Sequence, residues 1–165
     1  MPTVRSLAAH EWPAYRDLRI RALADSPDAF GTRLDDALVR REAFWIERLA
    51  AGVASEWDLP LVAQEGNELV GLAWGTINPS APETAYVVQM WVAPRGRGLG
   101  CGAMLLDAVV AWAREARARR VMLSVTCGNT PAMRLYLRAG FQPVGDPEPL
   151  RAGSTLLAQP MRLDL

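Results

Sequence analysis

Hydrophobic positions change their spacing several times along this chain, and each change predicts an element. Thr3-Val4-Arg5 alternates like a short edge strand. Trp12, Tyr15, Leu18, Ile20 and Leu23 then recur at helical intervals, with Pro13 in the first turn. Pro27 and Gly31 mark a loop over residues 25–31. A second helix is predicted over residues 34–51, with Leu38, Phe44, Trp45 and Leu49 facing inward. The period then shortens to two. Residues 59–64 and 68–77 read as strands joined by the hairpin turn Glu65-Gly66-Asn67. Residues 85–92 form the next strand, which must stop near Val92 or Ala93 because Pro94 cannot continue a strand interior. Met104, Leu105, Ala108, Val109 and Trp112 mark one face of a long helix, followed by a strand over 121–125. Thr130-Pro131 opens a short helix that Gly140 ends. Residues 141–144 and 156–163 close the chain as a strand pair, joined by residues 146–154. This order predicts a mixed α/β sheet with helices on its faces, in one domain over residues 1–165.

Composition narrows the classes. Half the residues are hydrophobic, enough for a sizeable core. Lys+Arg and Asp+Glu both number 18, so no net charge draws the chain to nucleic acid or an anionic membrane. The basic cluster Arg114, Arg117, Arg119 and Arg120 falls where a helix ends, and complements its dipole there. Two cysteines, Cys101 and Cys127, make no disulfide framework, and one histidine, His10, with no C-x-x-C pair makes no metal site. No signal peptide and no bilayer-length apolar run is legible, which leads to the expectation of a cytoplasmic protein.

The chemistry gathers after Pro94. Arg95-Gly96-Arg97-Gly98-Leu99-Gly100-Cys101-Gly102 is a glycine-spaced turn feeding a helix. The first amides of a helix lack intrahelical partners, and its dipole puts partial positive charge there, so phosphate is the natural occupant. The triphosphatase pattern G-x-x-x-x-G-K-S/T is absent. Gly98 to Ala103 does fit the dinucleotide pattern G-x-G-x-x-A. That pattern needs an acid about 20 residues on, and the strand around Val121 to Thr126 carries none. An NAD-binding oxidoreductase is thereby a weaker reading.

Arg95-x-x-Gly98-x-Gly100, after Val92-x-Pro94, resembles the signature of the GNAT family of N-acetyltransferases. A second stretch, Asn129-Thr130-Pro131-Ala132-Met133-Arg134-Leu135-Tyr136-Leu137-Arg138-Ala139-Gly140-Phe141, resembles that family's N-x-x-A-x-x-x-Y-x-x-x-G-F. The resemblance runs from about Val4 to the end. It implies a GNAT-like, largely antiparallel mixed sheet in which two central parallel strands splay apart, with helices on both faces. It implies acetyl-CoA as acyl donor and an amine as acceptor. The protein would be a monomer or homodimer, without nucleic-acid or membrane partners. By resemblance, main-chain amides from Gly96 through Arg97, Gly98, Leu99 and Gly100 to Cys101 cradle the pyrophosphate. The backbone of Met90, Trp91 and Val92 pairs with the pantetheine arm. Arg95 adds charge at the phosphates, and Asn129 contacts the arm. Tyr136 stands near the sulfur, where a phenol can protonate the departing thiolate.

The base is where the pattern departs. Many members carry a glutamate around Gln89, and others one at the position of Ser124. Glutamine cannot usefully take a proton. Glu83, just before the central strand, is the substitute candidate, with a water chain as the alternative. The acids Asp25, Asp28, Asp35 and Asp36 lie where the family borders its acceptor site, and would suit an amine. Cys101 at a helix N-terminus is read as a small filler, and His10 as structural or exposed. No activated nucleophile is evident, so direct transfer in a ternary complex is expected. The rival is a non-catalytic acyl-CoA sensor that kept the cleft and lost the base.

Overall fold

The alternating segments assemble into one sheet. In the computed structural model, which describes residues 1–165, the strands are β1 (Thr3–Ser6), β2 (Asp58–Glu65), β3 (Glu68–Ile77), β4 (Thr84–Val92), β5 (Arg120–Thr126), β6 (Gln142–Pro143), β7 (Glu148–Pro149) and β8 (Leu157–Asp164). Their order is β1-β2-β3-β4-β5-β8-β6, with β7 also on β8. Every pairing is antiparallel except β4 with β5. The helices are α1 (Trp12–Asp25), α2 (Leu34–Leu38), α3 (Glu42–Ala54), α4 (Cys101–Glu115) and α5 (Thr130–Arg138). None is long and apolar enough to cross a membrane.

The sheet has a core on each face. One holds Leu105, Leu106 and Val109 of α4 with Val121 and Leu123 of β5, Tyr136 and Phe141. The other holds Tyr15 and Leu18 of α1, Trp45 and Leu49 of α3, and Trp74 of β3. Tyr15 packs against Trp45 and Trp74 with ring centroids 5.7 and 5.5 Å apart. Gly52 makes this packing fit: a Cβ there would lie 2.3 Å from the Trp74 ring.

Three expectations need correction. The helix expected over residues 34–51 is two helices, broken between Leu38 and Glu42. Leu38 and Phe44 are consequently 56% and 36% exposed, while Trp45 and Leu49 turn inward as expected. In α1 the inward stripe is Tyr15, Leu18, Arg19 and Ala22, so an arginine occupies the core-facing position beside Ile20. The closing strand pair is interrupted: β6 is two residues long, and β7 adds a second short partner on β8.

The entry to α1 is pinned by Glu11, which accepts from Arg5 Nη2 at 2.8 Å and from the Ala8 amide at 2.8 Å. The Arg5 hydrogen bond, with that amide, holds the Glu11 carboxyl down to about 2. A carboxyl lowered on folding contributes fully above its unfolded value and loses that contribution as pH falls through the folded one. Glu11→Gln should therefore lower Tm at neutral pH, and its gap to wild type should close as pH drops from 4.5 toward 2. Thermal melts across that range check it; a pH-independent gap would refute the carboxylate's role.

Candidate active site

The site begins where the parallel pair fails. β4 and β5 are in register only over Thr84–Arg120, Ala85–Val121 and Tyr86–Met122. Beyond Tyr86 each strand follows its other neighbour, β4 along β3 and β5 along β8. A bulge at Gln89, whose φ is +55°, helps turn β4 away. Its extra residue shows as a register slip against Leu72 and Trp74. It also reverses which residues face which core. Ala85 and Val87 face the α4 side before it, Met90 and Val92 after it, and Trp91 now faces the α1 side. The gap is a cleft of about 660 Å³ between residues 86–90 of β4 and 122–126 of β5.

The glycine turn stands beyond the β4 end of this cleft. Gly98 and Gly100 have φ of +78° and +83°, and a Cβ on either would meet nothing within 4 Å. The turn is therefore open on its outer side, and its left-handed geometry favours glycine. Gly96 and Arg97 donate their amides back to Ala93 and Pro94, and the next loop bond is Met104 to Gly100. The amides of residues 98–103, at the start of α4, have no backbone partner, so the anion-ready arrangement begins at Gly98 and not, as expected, at Gly96, whose amide and that of Arg97 are already taken. Gly102 closes the turn onto the cleft wall: a Cβ there would lie 3.1 Å from Leu135 and 3.8 Å from Met90.

The two arginines of the turn are engaged within the protein. Arg95 Nη1 donates to Glu68 at 2.7 Å. Arg97 donates from Nε to the Val92 carbonyl at 3.0 Å and from Nη2 to Asp25 at 2.6 Å. Trp91 Nε1 also donates to Asp25, at 3.0 Å. Hydrogen bonds from Ser26 first, then Trp91 and Arg97, hold the Asp25 carboxyl below its usual range. Asp25 thus braces the turn and is not free to meet an amine. Leu99 is exposed, and Cys101 is 1% exposed with its thiol pushed up, by burial first and then by Glu65. That direction is opposite to thiolate activation and agrees with a filler role.

Across the cleft, α5 presents Asn129, Ala132 and Tyr136. Asn129 Oδ1 caps the helix by accepting from the Ala132 amide at 3.5 Å. Tyr136 is 7% exposed, and burial pushes its phenol up to about 12. A phenol in that state keeps its proton at neutral pH.

The acids fall differently from expectation. Glu83 precedes β4 on the side where β4 and β5 are still paired, its carbonyl accepting from Arg119 and Arg120, and it does not line the cleft. Gln89 does line it, and its Oε1 accepts from the buried Tyr15 hydroxyl at 2.9 Å. Ser124 lies opposite, on β5. The one acid among the lining residues is Glu148 of β7. Nothing in the sequence marked it, because a two-residue strand that follows Pro147 and ends on Pro149 carries no periodic signal. Asp28 contributes its carbonyl, which accepts from Thr126 Oγ1 at 2.6 Å and so ties the α1–α2 loop to β5. Asp35 and Asp36 sit exposed in α2, and His10 is exposed, as expected. Arg151 donates to the carbonyls of Pro27, Phe30 and Gly31, fixing the β7–β8 loop against the same α1–α2 loop. These ties wall the cleft on the α1 side of the sheet.

Comparison with known proteins agrees with this geometry. The model of the "Acetyltransferase (GNAT) family" matches residues 9–141. Mycothiol acetyltransferase of Salinispora arenicola is 34% identical over 131 residues, 78% of this chain and 40% of that protein. Its counterpart in Geodermatophilus obscurus is 31% identical over 125 residues, 73% of this chain and 38% of that protein. The chain thus spans about two fifths of the length of these relatives. Among solved structures, a GNAT acetyltransferase from Streptococcus pneumoniae superposes with a TM-score of 0.85 at 16% identity, covering 100% of this chain and 99% of that one. A Salmonella typhimurium protein solved with its cofactor acetyl-CoA gives 0.82 at 18%, covering 100% and 94%. Spermidine N-acetyltransferase from Vibrio cholerae, solved with CoA and spermine, gives 0.78 at 18%, covering 99% and 95%.

Proposed function

Because the chain belongs to the GNAT acetyltransferase family, matched over residues 9–141, we propose that it moves the acetyl group of acetyl-CoA directly to a primary amine in a ternary complex. The observation that carries this reading is the cleft at the β4–β5 parting, with Tyr136 on one wall and the open glycine turn beyond its end. The amides of residues 98–103 bind the pyrophosphate, with Arg95 and Arg97 lending charge while bracing the turn. The edge of β4 from Met90 through Trp91 to Val92 takes the pantetheine arm as an added strand, and Asn129 steadies it with its free amide group.

The amine nitrogen attacks the thioester carbonyl carbon, and the C–S bond breaks. The developing oxyanion is met by main-chain N–H groups of β4 beside the bulge. Tyr136 gives its proton to the departing thiolate. The amine's proton leaves to Glu148, directly or through water, since Glu148 is the one acid lining the cleft and Glu83 is outside it. Glu148→Gln should therefore lower kcat at least about tenfold, while Glu83→Gln should leave it unchanged. Steady-state kinetics on the two variants check this, and equal losses would remove Glu148 from the role.

Calorimetry with acetyl-CoA followed by a thiol-release assay over a panel of amines tests the whole reading. Binding with turnover is expected. Binding without turnover across the panel would instead indicate a sensor.

A further inference from the structure

The wall of the cleft contains a cation with no counter-ion. Arg19 of α1 lines the cleft and is 6% exposed. Its Nη1 is buried and has no hydrogen-bond partner. The arginines that pair with acids are Arg5, Arg16, Arg21, Arg95, Arg97 and Arg162; Arg19 is not among them. Its guanidinium carbon lies 4.8 Å from the Phe30 ring centroid, a contact that leaves its charge unneutralised. Burial lowers its pKa to about 10, with the charge of Arg40 a smaller contribution in the same direction, so it is still a cation at neutral pH.

A buried cation without a partner is costly, and a protein retains one where a ligand supplies the missing anion. Resting on the acyl-transfer reading above, we propose that the acceptor amine also carries a carboxylate, and that Arg19 binds it. The location fits an acceptor better than the cofactor. Arg19 packs on Phe30, beside Ala29, Gly31 and Thr32, on the face of the sheet that α1 covers, whereas the glycine turn opens α4 on the other face. The charge pattern fits too. Arg19 and Glu148 are the only charged residues lining the cleft, one of each sign. A small molecule bearing both an ammonium and a carboxylate matches that pair, with the amine toward Glu148. A guanidinium, itself planar, is suited to the flat, two-oxygen edge of a carboxylate. A polyamine, by contrast, would leave Arg19 unpaired and bring more positive charge beside it.

The test uses matched pairs: each of the common amino acids and its primary amide, titrated calorimetrically into the protein saturated with CoA. The thiol form of the cofactor cannot transfer an acetyl group, so this reads binding alone. At least one acid should bind about tenfold or more tightly than its amide. Arg19→Gln should abolish that preference with CoA affinity unchanged, and Arg19→Lys should keep part of it. If Arg19→Gln fails to fold, the wild-type pairs and Arg19→Lys still decide. Amides binding as well as every acid would overturn the proposal, as would a preference that survives Arg19→Gln. Failure of the acyl-transfer reading looks different: acids would still bind selectively, and no amine would release thiol from acetyl-CoA.

Discussion

Tyr136→Phe should lower kcat about 100-fold and leave the affinity for acetyl-CoA within about twofold of wild type. The change removes one oxygen from a side chain that is 7% exposed and keeps the ring, which packs 6.2 Å from that of Phe141. Packing is thus preserved, and the loss falls on the proton that the leaving sulfur requires. A 100-fold loss corresponds to about 2.7 kcal/mol of transition-state stabilisation, within the range for removing a general acid. Burial holds the phenol up to about 12, so wild-type Tyr136 carries its proton throughout the neutral range. A decline in kcat from loss of that proton should therefore appear only near that pH and be absent in the variant. Stopped-flow thiol release gives kcat, and calorimetry gives the affinity. Unchanged turnover would remove the acid assignment, and a parallel loss of affinity would make Tyr136 a binding residue instead.

How much of this was legible in the sequence depends on whether the signal was local. The glycine turn and the helix from Asn129 were readable because their residues are contiguous and each is required by backbone geometry: glycines at φ of +78° and +83°, and a capping asparagine before a first-turn proline. The strands and α4 were readable from period alone. The splay was not, since it depends on a bulge at Gln89, a residue whose positive φ nothing in its side chain requires. The break within residues 34–51 was missed because Leu38 and Phe44 supply an apolar pattern that ends in solvent.

The acceptor end was the least legible part. Arg19 counts as polar in any hydrophobic pattern, so Ile20 looked like the inward residue although the stripe 15, 18, 19, 22 has the better helical spacing. Glu148 reaches the cleft only because β8 carries β7 back toward β5, a pairing between distant segments. The acids that did stand out, Asp25 and Asp28, serve the scaffold, one through its carboxylate and the other through its carbonyl. Local acidity thus suggested an amine-binding surface, whereas the fold places one acid and one buried cation in the cleft itself.

Gly98→Trp should weaken acetyl-CoA binding about 100-fold or more, or about 2.7 kcal/mol, while the protein stays folded. An added Cβ at Gly98 would meet no protein atom within 4 Å and stands among amides that have no backbone partner, so an indole there should compete with a diphosphate for that space. Stability should fall modestly, because φ at Gly98 is +78° and a side chain in that region costs about 1–2 kcal/mol. Gly145→Trp separates the two effects. Gly145 has φ of +69° and equally open space around its Cβ, but it follows β6 at the far edge of the sheet. It should show a similar drop in Tm with acetyl-CoA affinity intact. Calorimetry and thermal melts on both variants decide the matter. Retained affinity in Gly98→Trp would mean that the diphosphate is held elsewhere. Equal losses in both variants would mean that the effect is strain and not obstruction.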